Sequence, residues 1–344
     1  MQKNIVVITG SRAEYGLLEP VLLELKDRKS ECNLKLLVTG SHLSERHGYT
    51  AQYIDAGLKQ VLIPGLVDFD QPLGVCLSMA NFLPPLASAM YGADKVVLLG
   101  DRYEILAAAL AAYNQSIPIA HIQGGDVTTG SLDDGYRDCI TRLADEHYVA
   151  TYDALDNVQR IQKSNKQHVV GSLACVVPDI YANEEYGYVV VVHPSKDDIG
   201  PPLLAELAEL PYKMLLIGAN ADAGGSIINN IMKMMVEHKS EQFDYVESLP
   251  RKDFLAYLKG AKALIGNSSC GIFEAPMLKT PSINIGSRQN GRLRADSVYQ
   301  VDNISDGWVG LDGALTSIEY STFTFNCPYF KEGTVNNIVK GLLR

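Results

Sequence analysis

The sequence has few charged residues and none of the long apolar segments that a membrane protein needs. Only 20% of its 344 residues are charged, and the acidic ones prevail to give a formal net charge of −10. Nucleic acids and anionic membranes bind clustered lysine and arginine, so neither is an expected partner. The apolar run after Asn4 is too short for a signal peptide, and we expect no membrane span elsewhere. These absences predict a cytoplasmic protein.

The cysteines are too scattered for a metal site or a disulfide framework. There are six of them without a Cys-x-x-Cys pair: Cys32, Cys76, Cys139, Cys175, Cys270 and Cys327. No histidines accompany them at the spacing that structural zinc requires. The chain also lacks the Gly-x-Gly-x-x-Gly motif of dinucleotide-binding folds and the Walker phosphate loop. We therefore expect neither a metal nor an organic cofactor.

The sequence does contain a repeated alternation of short apolar strands and helical segments. The β-branched run Ile5–Ile8 is followed by a glycine turn, and apolar residues then recur at helical spacing over 18–25. Pro20 would be tolerated if the regular helix began close to it. Further strands are predicted at 34–38, 96–99 and 117–122, with an Ala- and Leu-rich helix over 105–113. This alternation predicts an α/β fold with a parallel, doubly wound sheet.

A second series of the same kind starts beyond Gly171. Strands are predicted at 189–192, 214–217, 263–265 and 282–285, and each ends in a small or polar turn. Two domains are expected at this chain length. We predict an N-terminal Rossmann-like domain at 1–172, a C-terminal one at 173–325, and a helical segment at 326–344 that packs back toward the first domain. Facing strand ends of two such halves would form a ligand-binding cleft.

Polar residues after the predicted strands are the candidate site residues, because ligands bind at the carboxyl ends of strands in open α/β sheets. Arg12, near a helix N-terminus, could pair with a phosphate, although on its own it is more typical of a surface turn. Asp101 and Arg102 follow the strand at 96–99. They are either a structural ion pair or a general base with a cation beside it.

An acidic segment follows the strand at 117–122. Asp126, Asp133 and Asp134 are either helix caps in a solvated loop or carboxylates that act in a reaction. The double glycine at 124–125 would let the main chain approach a ligand closely. A metal site is less favoured here, because the acids show no repeating ligand spacing.

The second half of the chain carries two more candidate segments. His193 follows the strand at 189–192, where it is either structural or able to shuttle protons or bind phosphate. The segment 266–274, Gly-Asn-Ser-Ser-Cys-Gly-Ile-Phe-Glu, turns into a predicted helix whose amides and hydroxyls suit a diphosphate. Glu274 could accept hydrogen bonds from ribose hydroxyls.

Taken in order, these segments resemble the hydrolysing UDP-N-acetylglucosamine 2-epimerases. The motifs are Thr-Gly-Ser-Arg-Ala-Glu-Tyr-Gly at 9–16, Gly-Asp-Arg at 100–102, His-Ile-Gln-Gly-Gly-Asp at 121–126, Asn-Ser-Ser-Cys-Gly at 267–271, Asn-Ile-Gly-Ser-Arg-Gln-Asn-Gly-Arg at 284–292 and Pro-Tyr at 328–329. The resemblance implies a GT-B fold and metal-independent elimination of UDP, followed by hydration of 2-acetamidoglucal to N-acetylmannosamine. It also implies sialic acid biosynthesis and a homodimer or homotetramer.

Resemblance and strand-end position together give two sets of candidate residues. The catalytic candidates are Asp101, Asp126, Asp133, His193 and Gln123. The candidates for contact with UDP or substrate are Arg12, Arg102, Ser268, Ser269, Gly271, Glu274 and Arg288. Some family members carry glutamate, and others histidine, where this chain has Gln123. Glutamine exchanges no proton at neutral pH, so the acid–base chemistry must pass to the aspartates.

Several alternatives stay open at this point. The motifs do not separate UDP-N-acetylglucosamine from a UDP-2,4-diacetamido-6-deoxy sugar as the substrate. A GT-B glycosyltransferase would use the same UDP-binding residues, although three carboxylates in the first domain favour elimination. Gln123 also leaves open a non-catalytic sugar-nucleotide-binding protein. A non-hydrolysing epimerase is less favoured, because the motifs at 124–126 and 267–271 resemble the hydrolysing branch.

Overall fold

The computed structural model describes residues 2–69, 71–128, 132–164, 166–220, 222–302 and 309–344. The chain divides into two compact units. Unit 1 comprises Met1–Val127, Leu132–Val176 and Tyr329–Arg344, and unit 2 comprises Thr128–Ser131 and Val177–Pro328.

Unit 1 is built on a parallel sheet. Its described strands are β1 (Lys3–Thr9), β2 (Cys32–Val38), β3 (Gln60–Leu62), β4 (Lys95–Leu99), β5 (Ile119–Ile122), β6 (Glu146–Val149) and β7 (Gln167–Val169). Their order across the sheet is β3-β2-β1-β4-β5-β6-β7. The winding reverses between β1 and β4, so the segments that follow these two strands flank the position where such sheets bind ligands.

Unit 2 repeats this architecture. Its described strands are β8 (Tyr188–Val191), β9 (Met214–Ile217), β10 (Phe243–Val246), β11 (Ala263–Gly266), β12 (Ser282–Ile285) and β13 (Val298–Val301). They are parallel, in the order β10-β9-β8-β11-β12-β13, and the winding reverses between β8 and β11. The strands predicted at 214–217 and 282–285 match β9 and β12 at both ends.

Helices cover the two sheets. In chain order the described helices are α1 (Arg12–Asp27), α2 (Pro72–Met90), α3 (Tyr103–Asn114), α4 (Asp133–Leu143), α5 (Tyr152–Ile161), α6 (Gly200–Leu207), α7 (Gly225–His238), α8 (Arg251–Gly260), α9 (Glu274–Met277), α10 (Val309–Tyr320) and α11 (Thr334–Leu342). Helix α11 packs on α1 and contributes Ile338, Val339 and Leu342 to a core that includes Leu18 and Leu22.

Helix α1 begins earlier than the apolar spacing predicts. Ser11 Oγ accepts the amide of Glu14, and the Glu14 carboxylate accepts the amide of Ser11, which together form a capping box. Pro20 therefore lies inside the helix, and the prediction that the helix begins near it is wrong. An interior proline removes one helical hydrogen bond. The cap and the buried apolar side of α1 compensate for that loss.

Helix α2 has one buried side and one exposed apolar side. Ser78, Phe82 and Leu86 are buried in unit 1, whereas Leu73 and Leu77 are 58% and 44% exposed. Of the described helices, only α2 is long and apolar enough to cross a membrane. About a quarter of its residues are buried inside the protein. The expectation that no such segment exists is therefore wrong. This is weak evidence for a membrane span, because core helices meet the same criterion.

Candidate functional site

The buried guanidinium of Arg137 organises the acidic residues of unit 1. It is 1% exposed and donates to Asp134 Oδ1 at 2.6 Å, to the carbonyl of Asp126 at 2.6 Å and to Asp101 Oδ2. Burial disfavours its charge, but the Asp101, Asp126 and Asp134 carboxylates outweigh burial and raise the pKa of Arg137. Asp101, at the carboxyl end of β4, is thereby held in an ion pair on one side of the switch point.

The segment from β5 to α4 carries the other carboxylates. Asp133 and Asp134 form the first turn of α4, where negative charge is favourable. Packing within unit 1 explains one residue of the double glycine at 124–125. A Cβ on Gly125 would lie 2.2 Å from the carbonyl of Ala154, and its φ is +82°. Close packing against α5 therefore requires Gly125. Within the described residues, no group of three or more His, Cys, Asp or Glu could hold a metal ion together.

Gln123 follows β5 in an unusual main-chain conformation. Its φ is +61°, which is uncommon for a residue other than glycine. Its Nε2 donates to Ser172 Oγ at 2.9 Å, and Ser172 is fully buried. Gln123 Oε1 is buried and accepts no hydrogen bond from a described residue. The side chain is thus oriented by one hydrogen bond, with a carbonyl oxygen left to accept another.

The two arginine candidates of unit 1 stand at helix starts. Arg12 is the first residue of α1, and Arg102 precedes the first residue of α3. Arg102 Nε donates to Glu104 Oε1 at 2.7 Å, so a buried glutamate orients the guanidinium. Both arginines lie beside the β1–β4 switch point.

His193 and Asn267 bring the strand ends of unit 2 together. Asn267 Oδ1 accepts the amide of His193 and Asn267 Nδ2 donates to the carbonyl of His193, both at 2.8 Å. The amide of Asn220 donates to His193 Nδ1 at 3.2 Å, so the ring proton resides on Nε2. His193 therefore offers an Nε2–H donor at the β8–β11 switch point.

The segment after β11 is less helical than predicted. Ser268 caps a single 3-10 turn over Ser269–Gly271, and the following helix α9 has only four residues. The predicted turn into a helix is thus present only as a 3-10 turn and a four-residue helix, and diphosphate binding by this segment stays a prediction. The amide of Gly271 bonds to the carbonyl of Ser268, and the carbonyl of Gly271 accepts from Ser282 Oγ. Both polar groups of Gly271 are used within unit 2.

Glu274 begins α9 shortly after this turn, and Arg288 follows the end of β12. Burial raises the pKa of Glu274, and the nearby guanidinium of Arg251, at 4.0 Å from its Oε1, lowers it in part. Arg288 donates to the carbonyl of Asn267 at 3.3 Å. Gln289 donates to the same carbonyl at 2.8 Å. Arg288 is thus tied to the segment that carries Ser268 and the contact with His193.

Three residues that organise these clusters were given no role from the sequence. No role was predicted for Arg137 or Glu104, and Asn267 was considered only as part of the Asn-Ser-Ser-Cys-Gly motif at 267–271. An acid two residues after Gly-Asp-Arg and an asparagine after a strand glycine were the available signals. Both are common in surface turns, so burial and tertiary contacts were needed to recognise them.

Fold and strand-end chemistry together describe an α/β protein with two parallel-sheet units and polar clusters at each switch point. The UDP-N-acetylglucosamine 2-epimerase family profile matches residues 24–343. The chain belongs to this family. It is 33% identical over 375 residues to the polysialic acid biosynthesis protein P7 of Escherichia coli. The alignment covers 98% of this chain and 93% of that protein.

Two other proteins extend the comparison. The GDP/UDP-N,N′-diacetylbacillosamine 2-epimerase (hydrolyzing) of Campylobacter jejuni is 31% identical over 351 residues, or 94% of this chain and 90% of that protein. The solved UDP-GlcNAc 2-epimerase of Neisseria meningitidis, bound to UDP-GlcNAc, superposes with a TM-score of 0.77 at 19% identity and 99% coverage of both chains. The predicted GT-B fold class and the family resemblance are confirmed.

Proposed function

We propose that the protein is a hydrolysing 2-epimerase that converts a UDP-2-acetamido sugar and water into UDP and the free 2-epimeric sugar. A carboxylate removes the proton from carbon 2 while the bond from carbon 1 to the UDP oxygen breaks. This step leaves a 2-acetamidoglucal. Water then adds its hydroxyl to carbon 1, and a proton returns to the opposite face of carbon 2. With UDP-N-acetylglucosamine the sugar product is N-acetylmannosamine.

The ion pair of Asp101 with Arg137 is the observation that carries this proposal. A buried guanidinium keeps the Asp101 carboxylate charged and oriented, as a base that attacks a carbon acid requires. Asp133, at the start of α4, is the candidate for proton return, and Asp126 supports the same electrostatic environment. We assign Gln123 a positioning role, because its amide cannot relay a proton.

UDP would be held by donors from the strand ends of unit 2. His193 Nε2–H, the hydroxyls of Ser268 and Ser269 and the guanidinium of Arg288 suit the oxygens of a diphosphate. These donors would stabilise the negative charge that develops as UDP departs. Glu274 would accept from the ribose hydroxyls. Arg12 and Arg102 of unit 1 stay candidates for contact with UDP or substrate, as the family resemblance implies.

A second substrate is favoured by a specific comparison. The Campylobacter jejuni relative is named for N,N′-diacetylbacillosamine and carries the word hydrolyzing in its name. The Escherichia coli relative is instead named for polysialic acid biosynthesis. We therefore propose UDP-N-acetylglucosamine as one substrate and the UDP-2,4-diacetamido-6-deoxy sugar as its alternative. Sialic acid biosynthesis is the proposed pathway in the first case.

The test is to supply each UDP-sugar separately and to measure free UDP and the free sugar over time. Release of UDP together with a free 2-epimeric sugar supports the proposal, and the larger kcat/KM identifies the substrate. Accumulation of an epimer still linked to UDP would instead indicate the non-hydrolysing reaction. UDP release only when an acceptor sugar is added would indicate a glycosyltransferase. Asp101→Asn should abolish release, whereas Asp27→Asn, an exposed control on α1, should not.

The assembly and the location of the protein stay predictions. We infer a homodimer or homotetramer, which light scattering on the purified protein would report as two or four times the 37.6 kDa chain mass. A cytoplasmic location stays a prediction from the sequence alone. Fractionation of cells that express the full chain would test it.

A further inference from the structure

Two glutamates outside the proposed reaction are buried next to the β1–β4 switch point. Glu14 lies in the first turn of α1 and is 8% exposed. Glu104 lies in the first turn of α3 and is fully buried. Carboxylates at such depth are rare unless each has a cation or several hydrogen-bond donors.

Glu14 is bonded to the loop that follows β1. Its Oε2 accepts the amide of Gly10 at 2.7 Å and the amide of Ser11 at 3.2 Å. Its Oε1 is buried and has no hydrogen-bond partner among the described residues. One oxygen therefore holds the main chain of the loop, and the other lacks a donor.

Glu104 lies directly against the same loop. A Cβ on Gly10 would be 2.5 Å from both Cγ and Oε1 of Glu104, so glycine is required at that contact. Glu104 Oε1 accepts from Arg102 Nε at 2.7 Å. Glu104 Oε2 is buried and, like Glu14 Oε1, has no partner among the described residues. Each glutamate thus has one satisfied oxygen and one unsatisfied oxygen.

The charges around this pair do not balance. From the β4–α3 connection, Asp101, Arg102 and Glu104 face Glu14 electrostatically. From the segment after β2, the neighbouring titratable group is His42, which bonds to Thr9 Oγ1. Burial lowers the pKa of His42 to about 4, so it carries no charge at neutral pH.

Among the charged groups that act on Glu14, the carboxylates of Glu104 and Asp101 oppose the guanidinium of Arg102. A charged Glu14 at this depth would therefore carry a desolvation cost that the surrounding charges do not offset. Burial first, and the charge of Glu104 second, raise the pKa of Glu14 to about 8. A proton retained at neutral pH removes this cost and supplies the missing donor.

We propose that Glu14 keeps its proton at neutral pH beside the Glu104 carboxylate, and that these two side chains position Arg102 and the Gly10–Ser11 main chain for a phosphate-bearing ligand. The ligand part rests on the proposed function, whereas the retained proton does not. With the proton present, the two glutamates and Arg102 sum to zero charge. Loss of the proton places a negative charge beside the candidate phosphate contacts of unit 1.

Two consequences separate this role from simple packing. The folded state binds a proton that the unfolded chain releases at much lower pH, so stability falls as the pH rises from about 5 to about 8. UDP affinity should fall by about fivefold over pH 7–9, because the negative charge that appears on Glu14 repels the phosphates. UDP itself does not cause this change, since its phosphate loses its last proton near pH 6. Neither effect is expected of a glutamate that merely fills space.

The experiment compares wild type with Glu14→Gln and Glu104→Gln. A glutamine at 14 mimics the protonated acid, because its oxygen can accept from the Gly10 amide and its side chain carries no charge. Denaturant unfolding at pH 5–9 and UDP titration calorimetry at pH 7–9 are the two measurements. Glu24→Gln, on the exposed side of α1, is the matched control and should leave both pH dependences unchanged.

Glu14→Gln should keep UDP affinity at pH 7 within about twofold of wild type and should flatten both pH dependences. Glu104→Gln removes only the second cause of the raised Glu14 pKa, so it should make the stability profile shallower without flattening it, and it should weaken UDP binding at every pH because Arg102 loses its ionic partner. Equal pH slopes of stability in wild type and in whichever of the two variants folds would overturn the retained proton. If UDP does not bind at all, the proposed function fails, and the stability profiles still decide on the proton.

Discussion

Asn267 and His193 are joined by two reciprocal hydrogen bonds across the strands at which the winding of unit 2 reverses. The side-chain amide of Asn267 accepts from the His193 amide and donates to its carbonyl, both at 2.8 Å. Asn267 is fully buried. The side-chain amide therefore makes the two hydrogen bonds that a neighbouring strand would make to the His193 main chain, at a position where the sheet has ended. These bonds hold the main chain that carries the imidazole.

Replacing Asn267 should weaken UDP binding through His193. Asn267→Ala loses both hydrogen bonds, each worth about 1 kcal/mol, so we expect about tenfold weaker UDP binding and a loss of about 2–3 kcal/mol in unfolding free energy. Asn267→Asp keeps the acceptor for the His193 amide but puts a buried carboxylate oxygen against the His193 carbonyl, so it should weaken UDP binding at least as much as alanine does. Calorimetry with UDP and urea unfolding measure the two quantities. Asn230→Ala, exposed on α7, is the control, and equal UDP affinity in all variants would contradict the role.

Arg137 should be essential to the fold of the acidic cluster. Arg137→Met leaves the carboxylates of Asp101 and Asp134 without their cation. This should lower the free energy of unfolding by about 3–5 kcal/mol at pH 7. Arg137→Lys keeps the charge but not the forked geometry, so a smaller loss is expected. Urea unfolding at pH 7 measures this, with exposed Arg160→Met as control.

The two glycines at 125 and 135 should respond in opposite directions to alanine. Gly125→Ala adds a Cβ at 2.2 Å from the Ala154 carbonyl in a left-handed conformation, so a loss of about 3 kcal/mol is expected. Gly135 lies inside α4 with nothing near its added Cβ, and Gly135→Ala should stabilise by about 0.5–1 kcal/mol. Denaturant unfolding of both variants tests the pair. A neutral Gly125→Ala would show that the loop relaxes.

Gln123→Glu should introduce a new titrating group into the reaction. Ser172 Oγ already accepts from the amide of Ala174, so its hydroxyl proton can turn to a carboxylate at 123. The variant should therefore fold, and general acid–base catalysis by the added group should raise kcat by about tenfold or more. The pH–rate profile of the variant, compared with Gln123→Met, checks this. An unchanged kcat and pH profile would mean that no proton transfer passes through position 123.

Much of the fold followed from short apolar runs. The strands at 214–217 and 282–285 were predicted to the residue, because apolar runs end at a glycine where the sheet ends. The start of α1 was not predicted, because Pro20 favoured a later start than Arg12. The helix begins at Arg12 because the capping box of Ser11 and Glu14 satisfies its first amides through hydrogen bonds. The 3-10 turn at 269–271 was missed for a similar reason, since its serines suit a helix cap equally well.

The candidate site was predictable in its polar residues but not in their support. Asp101 and His193 stand out because they follow apolar strands. Which cation holds Asp101 depends on α4 packing against α3 and β5, and no local pattern near position 137 encodes that contact. The contact of Glu104 with Gly10 likewise joins residues far apart in the chain. Tertiary pairing of buried charges is the part that spacing alone does not predict.

The reaction of the UDP-sugar in D2O, followed by NMR, tests the central claim most directly. Proton removal at carbon 2 followed by return from solvent predicts free UDP and a free 2-epimeric sugar that carries deuterium at carbon 2. Asp101→Asn should bind UDP with near-normal affinity and yield neither product. Free UDP accompanied by a sugar that keeps its original hydrogen and configuration at carbon 2 would contradict the account.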